Sequence, residues 1–421
     1  MNKILNIKFI NQYIGLPKSI YMVAIARMLI IMGHFVYPFM TLYLTTRFGY
    51  TTEEVGQYIL LLSLVYIPGA LIGSNIADKV NRKVTFCICM ILADLFFVVC
   101  GFLYQSEVML IPLVAAFFFL NSAFPILTSM VMDMTTPSNR QESFSLISIG
   151  LNLGFAIGPS LASLLFENYA QWLFFGQAML NFSAVLLVIF FIKDTRPTKE
   201  DIAAVAAAED RALEQASSES FLKLIFKSPI IMGFILGAAA IAFIYAQFFY
   251  MMPLQLNETF GTTLGSRYYG TTCFINGAGI VILAPFMVML TKKFNPLFNM
   301  AVAAVLYAVG FGLYGSTNIW TLFMLFAVIW TSGEVLVSAN ISVFLANHAP
   351  ITHRARFQSL YDITHAVGKA IGPLILGTYL MTHTYADAWR LVALLGVAAA
   401  LLFSLLGFIE TRKMKKQTEQ K

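Results

Sequence analysis

Stretches of about twenty apolar residues recur from one end of this 421-residue chain to the other, and that recurrence constrains the fold more than any single motif. Roughly 20 apolar residues of helix cross the hydrocarbon layer of a bilayer, where each backbone N–H and C=O must be satisfied within its own segment. The stretches at 19–45, 54–75, 84–104, 109–132, 142–166, 170–192, 229–256, 265–290, 297–315, 320–345, 356–382 and 386–409 therefore predict twelve membrane-spanning helices. The residue balance agrees. The chain is 59% hydrophobic and 11% charged, whereas soluble domains carry about 25% charged residues.

The first stretch runs from Ile20 into Tyr43 without a small-residue cleavage site, so it reads as a retained helix and not as a signal peptide. With both termini in the cytoplasm, 22 of the 27 Lys and Arg residues fall on that side, as the positive-inside rule requires. Arg47, Arg267 and Arg390 lie opposite, and Arg27 and Lys369 lie within spans. The net charge of +6 thus records topology and calls for no nucleic-acid partner. Cys87, Cys89, Cys100 and Cys273 all fall in spans, and Cys87-Ile88-Cys89 has the wrong spacing for zinc. They read as packing residues, with no metal and no cofactor expected.

Residues 193–227 break the apolar rhythm with alanines and mixed charge, "KDTRPTKEDIAAVAAAEDRALEQASSESFLKLIFK", which suits a solvated tether. The expected organisation is a six-span bundle over 1–192, a cytoplasmic linker over 193–228 and a second bundle with a short basic tail over 229–421. The halves also repeat. "RQESFSLISIGLNLGFAIGP" at 140–159 aligns with "RARFQSLYDITHAVGKAIGP" at 354–373 without a gap, superposing Gly154 on Gly368 and Gly158-Pro159 on Gly372-Pro373. At the same offset of 214, "GSNIADKVN" falls on "MVMLTKKFN", where Asn81 meets Asn295 but Gly73 meets Met287 and Asp78 meets Lys292, and the charged pattern is degraded.

Gly73-x4-Asp78-Lys79-x2-Arg82-Lys83 resembles the loop 2–3 signature of the major facilitator superfamily, and the twelve spans, the repeat and the linker match that family along the chain. The resemblance implies an all-α membrane protein, two pseudo-symmetric six-helix bundles around a midplane cavity. "GLNLGFAIGPSLAS" at 150–163 is similar to the fifth-span motif of proton-coupled drug exporters, although Ala162-Ser163 stand where that motif usually has two glycines. "WTSGEVLVSAN" at 330–340 resembles the tenth span of multidrug/proton antiporters, with an acid at Glu334, and Asp133 followed by Arg140 matches their fourth-span exit.

These motifs assign expected roles. Gly73 lets two helices approach closely, while Asp78 pairs with Arg140 or caps a helix and Lys79, Arg82 and Lys83 hold the rim of a conformational latch. Gly154, Gly158 and Pro159, with Gly368, Gly372 and Pro373, form two sites where a helix can bend or slide. An ionisable residue at the bilayer centre costs at least about 2.5 kcal/mol on insertion scales, which singles out Arg27, His34, Asp94, Glu334, Asp362, His365 and Lys369. Glu334 has no basic neighbour one turn away, so burial disfavours its charged form and suits it to carry a proton; Asp362 and Asp133 are the other coupling candidates. Asp362, His365 and Lys369 have the spacing to pair with one another, and Asp94 reads as a packing residue. Arg27, His34 and Tyr37 in the first span, Tyr245, Gln247 and Tyr250 in the seventh, and Glu334 line the expected substrate cavity.

The functional expectation is a monomeric secondary transporter of a bacterial cytoplasmic membrane, in contact with lipid, substrate and protons, that exports lipophilic compounds, cations included. A proton-coupled importer of a sugar or other nutrient is the alternative, disfavoured by mainly apolar cavity helices. A membrane enzyme or receptor is a third reading. No phosphate-binding G-x4-G-K-[ST] loop is present to take energy from ATP, and neither a metal-ligand cluster nor a nucleophile–base pair stands out.

Overall fold

Two glycines in the left-handed region, Gly49 (φ +70°) and Gly261 (φ +77°), mark where the chain turns after the first span of each half, a backbone state that L side chains rarely adopt. The computed structural model describes residues 13–135, 139–195, 229–291, 293–348 and 354–419. Before Gly49 come α1 (Lys18–Met32) and α2 (Val36–Phe48), one membrane segment interrupted at Gly33-His34-Phe35. The interruption leaves helix N–H groups without intrahelical partners, and Gln177 Oε1 accepts one of them, from Val36 N, at 3.2 Å.

The remainder of the first half is α3 (Thr52–Lys79), α4 (Arg82–Phe102), α5 (Leu110–Met134), α6 (Arg140–Leu165) and α7 (Gln171–Phe191). The second half is α8 (Pro229–Ala246), α9 (Met251–Thr291, broken at Gly261), α10 (Pro296–Gly312), α11 (Trp320–His348), α12 (Arg354–Leu380) and α13 (Tyr385–Glu419). Helices starting at Arg82, Arg140 and Gln171 recur at Pro296, Arg354 and Tyr385, each 214 residues later. Asn81 and Asn295, matched at the same offset, are both N-caps: each side chain accepts a backbone N–H at 2.8 Å, from Val84 and from Leu297.

Ten described segments are long and apolar enough to span a membrane. One of them, 229–291, contains two passes, and α12 adds a 27-residue helix of lower hydropathy. The described helices thus accommodate the twelve expected spans. The expected seventh span, 229–256, is interrupted at 247–250, the repeat position of the 33–35 interruption.

Packing repeats with the helix order. In the first half α4 packs on α5 and α7, and α1 on α6 and α7; in the second, α10 packs on α11 and α13, and α8 on α12 and α13. The compact units exchange short segments relative to the sequence halves. The described parts of 1–48, 61–207 and 262–277 form one unit; those of 49–60, 208–261 and 278–421 form the other. Residues 49–60 join the second unit because the start of α3 packs on α12, with Thr52 Oγ1 donating to Gly377 O at 2.9 Å. The second unit also carries a buried aromatic core whose polar handles are satisfied. Trp330 Nε1 donates to Tyr314 Oη at 3.0 Å, and Trp389 Nε1 to Gln255 Oε1 at 2.6 Å.

Candidate functional site

Gly333 leaves room beside Glu334 on α11. A Cβ there would stand 2.8 Å from the Tyr307 ring of α10, so only glycine admits that ring to the acid's side of the helix. Tyr307 stacks on Tyr245 of α8 at 6.4 Å and 16°, and Tyr245 meets Trp330 edge-on at 6.2 Å. Lys369 of α12 sets its Nζ 5.1 Å from the Tyr245 centroid and 5.6 Å from that of Phe249, within cation–π range. The charges of Lys369 and Glu334 act on each other, and Glu334 acts on the Tyr307 hydroxyl.

The expectation of an isolated Glu334 is corrected here. Neighbours one turn along α11 are neutral, but α12 brings a lysine into its field. Lys369, expected to pair within its own helix, aims its Nζ at the rings of α8, while His365 Nδ1 lies 3.4 Å from Tyr361 Oη. Chemically the cluster holds one acid and one base on two helices, against aromatic faces. Adding a proton to Glu334 makes the cluster more positive by one charge. Sequence reasoning missed Tyr307; its signal is a lone phenol in the apolar run "AAVLYAVGFG".

Other expected cavity residues go elsewhere. Gln247 is fully buried at the 247–250 interruption, where Nε2 donates to Phe243 O at 2.9 Å, and Tyr250 donates its hydroxyl to Thr52 O. The structure therefore uses both residues to hold backbone and does not gather them with Glu334. Asp362 lies exposed on α12, beside Tyr361. In the first unit, Arg27 and His34 converge on Phe124 of α5. Arg27 Nη2 donates to Phe124 O at 3.3 Å and to Thr128 Oγ1, its guanidinium lies 5.6 Å from the Phe124 centroid, and the His34 ring meets the same ring edge-on at 5.8 Å. Tyr37 meets Phe117 edge-on at 6.1 Å.

At the end of α3, a Cβ on Gly73 would stand 2.5 Å from Ser122 O, so α3 and α5 touch backbone to backbone. Beyond it Arg82 pairs with Asp133, which also accepts from Thr195 Oγ1 at 2.9 Å, and Lys83 Nζ donates to Ile189 O at 2.7 Å. Lys79 is exposed, and the Asp78 and Arg140 side chains lie outside the described residues. Asp133, expected among the coupling acids, is thus the anionic member of this clasp. The second half builds a clasp of its own from other residues. His348 Nε2 lies 2.7 Å from Glu410 Oε1, and Asn295 Nδ2 donates to Glu410 Oε2 at 2.6 Å. What reads as a degraded copy in the sequence is a different cluster at the start of α10.

The repeated glycines serve helix contact. A Cβ on Gly154 would stand 2.5 Å from Met28 O, and one on Gly158 would strike the Met32 backbone. Gly368 meets Ala239 O at 2.6 Å, whereas Gly372 meets the Gln247 Nε2 at 2.7 Å. Each stripe runs along α1 or α8 to its interruption, with Pro159 or Pro373 inside the packed helix.

Among known proteins, the Major Facilitator Superfamily profile matches residues 23–296 and 256–421. The chain is 23% identical over 399 residues to Quinolone resistance protein NorA of Staphylococcus aureus (strain COL), covering 91% of this chain and 96% of the relative. It is also 23% identical over 397 residues to the uncharacterized MFS-type transporter YttB of Bacillus subtilis (strain 168), covering 92% and 96%. A crystal structure of nucleoside transporter NupG superposes with a TM-score of 0.73 at 15% identity, covering 93% of this chain and 99% of that one. Peptide transporter POT in complex with sulfate gives 0.69 at 17%, covering 95% of both. At such identities the structures speak for the fold.

Proposed function

The chain belongs to the major facilitator superfamily, and we propose that it exports lipophilic small molecules, cations among them, in exchange for protons by alternating access. It is a multi-pass membrane transporter; direction, cargo and coupling are our reading. The observation that carries it is the Glu334–Lys369 cluster against the rings of Tyr245, Tyr307 and Phe249. The name of the quinolone resistance relative supports the same cargo class.

With Glu334 ionised, its charge offsets that of Lys369, and a lipophilic cation can take the place of the Lys369 ammonium on the aromatic faces. When Glu334 takes up a proton, the uncompensated charge of Lys369 repels that cation and competes for the same rings. Cargo thus leaves where protons enter, which is the sign an antiporter requires. A proton moving down the membrane potential supplies about 2.3 kcal/mol per 100 mV. In this reading the protein works as a monomer in a bacterial cytoplasmic membrane with both termini inside. Arg27, His34 and Tyr37 are cargo-contacting residues in this reading. The Gly73–Arg82–Asp133 clasp is a cytoplasmic latch that forms in one state and opens in the other, and the glycine–proline stripes are the sliding surfaces.

Proteoliposomes with an imposed pH gradient test this directly. Wild type is expected to drive tetraphenylphosphonium against its gradient, and Glu334→Gln, which fixes the proton-bound charge state, to bind the cation more weakly and to abolish the driven flux, because glutamine keeps shape and hydrogen bonding but takes up no proton near neutral pH. Undiminished driven flux in Glu334→Gln, or proton-driven uptake of sucrose in place of the cation, would overturn the proposal.

A further inference from the structure

Asp94 sits near the middle of α4 with only 6% of its surface exposed. Its Oδ1 accepts a hydrogen bond from Nδ2 of Asn181, on α7, at 3.1 Å, and Asn181 is itself fully buried. Two shielded atoms of this pair are left without a partner, Asp94 Oδ2 and Asn181 Oδ1. An ionised carboxylate only accepts, and so does an amide oxygen, so in the charged state neither orphan can satisfy the other. Each unmet buried polar atom carries a desolvation cost, greater for a charged one. One proton on Oδ2 changes both at once, since the new O–H can donate to Asn181 Oδ1 and close a reciprocal acid–amide pair.

Among the described residues, the helices packed on α4 supply no alternative neutralisation. Of the helices packed on α4, α7 carries no Asp, Glu, Lys, Arg or His, and α5 carries only Asp133, at the clasp and paired with Arg82. On α1, Arg27 shares a narrow void with Met90 of α4 but gives its hydrogen bonds to Phe124 and Thr128, and His34 just beyond α1 lies against Phe124. On α4 itself, Arg82 and Lys83 lie at its clasp end, Cys87 and Cys89 are free thiols, and Cys100 donates to Met109 O at 3.6 Å.

We propose that Asp94 is a proton-binding residue of the first half, held neutral at physiological pH in a reciprocal acid–amide pair with Asn181. The site is distinct from Glu334 and stands or falls apart from it. It also adjoins the interruption of the first span. Asn181 Oδ1 lies 3.4 Å from where a Cβ on Gly33 would stand, and one turn earlier on α7 Gln177 holds the Val36 N–H. Loss of the proton sets a carboxylate oxygen against the amide oxygen and releases Asn181 beside Gly33, so proton occupancy acts on the α1–α2 interruption.

Infrared spectroscopy of the full chain in lipid at neutral pH, with carboxyl-¹³C aspartate, reads this state. The expected result is a protonated-acid C=O band that shifts with the aspartate label, disappears in Asp94→Asn and persists in both Glu334→Gln and Asp362→Asn. The amide introduced by Asp94→Asn can form the same reciprocal pair with Asn181, amide to amide, which favours a folded variant. Independently of how that variant folds, Asn181→Leu keeps the carboxyl but removes its partner, and is expected to move the band to higher frequency. Absence of a label-sensitive protonated band in wild type, its survival in Asp94→Asn, or an unmoved band in Asn181→Leu would each overturn the proposal.

Discussion

Arg27 in the first half is met by a backbone carbonyl and a threonine, and Asp94 by an amide; in the second half Glu334 and Lys369 act on each other's charge. The helix order and the packing pairs repeat, so the scaffold does not account for this difference. Neutral partners fix each first-half group separately. Glu334 on α11 and Lys369 on α12 act on each other's charge from two helices. The clasps also differ in composition: Arg82 with Asp133 in one half, His348 with Glu410 and Asn295 in the other. Repetition preserved the helix scaffold, while the polar groups stand at different positions in the two halves: at the 214-residue offset Glu334 falls on Leu120 and Lys369 on Phe155.

The comparison can be broken most readily at Lys369. Removing one partner of a fully buried pair costs about 3–5 kcal/mol; Glu334 is only half-buried, so Lys369→Met is expected to cost less than that but still to lower the melting temperature in lipid nanodiscs. Adding Glu334→Gln should restore most of the loss, with a coupling energy of about 0.5–3 kcal/mol in the double-mutant cycle. Simple additivity would mean that the two charges are not energetically linked.

Next in size is a test of the two glycine stripes. Gly158→Val drives a branched side chain into the Met32 backbone, which cannot yield, and is expected to cost about 1–3 kcal/mol or more. Gly372→Val meets the end of the Gln247 side chain first and should cost less. Thermal unfolding of the two variants side by side checks the order; equal losses would remove the distinction between them.

The clasps give smaller effects. Arg82→Gln leaves Asp133 with Thr195 and is expected to cost about 1 kcal/mol while increasing the distance between labels on the Lys79 and Asp133 ends of α3 and α5. An unchanged distance distribution with intact transport would argue against a latch. Lys83→Ala removes one exposed hydrogen bond to Ile189 O, with an expected change within about 0.5 kcal/mol.

Spans, repeat and family were legible because hydropathy and the glycine–proline motifs are local patterns, and local patterns survive in one dimension. Even the 214-residue offset of the helix starts could be read from "AIGP" alone. The sites were less legible. Lys369 and Glu334 lie on different helices, so inspecting neighbours one turn away left Glu334 seemingly isolated. Gln247 and Tyr250 look like cavity residues because they are polar in an apolar span, yet the interruption of that span creates backbone needs that they fill. The second-half clasp draws on α11 and α13, far from the segment aligned with the first clasp. Asp94 looked like packing because its partner, Asn181, is an uncharged residue 87 positions away.

Export in exchange for protons requires competition between cargo and a proton at the Glu334–Lys369 cluster. Calorimetric titration of purified protein with tetraphenylphosphonium, repeated in buffers of different ionisation enthalpy, counts the protons released on binding. At a pH where Glu334 is partly protonated, the expected result is net proton release by wild type, none by Glu334→Gln, and binding that weakens as pH falls in wild type alone. Proton release that is the same in wild type and Glu334→Gln, or binding that strengthens at low pH, would contradict it.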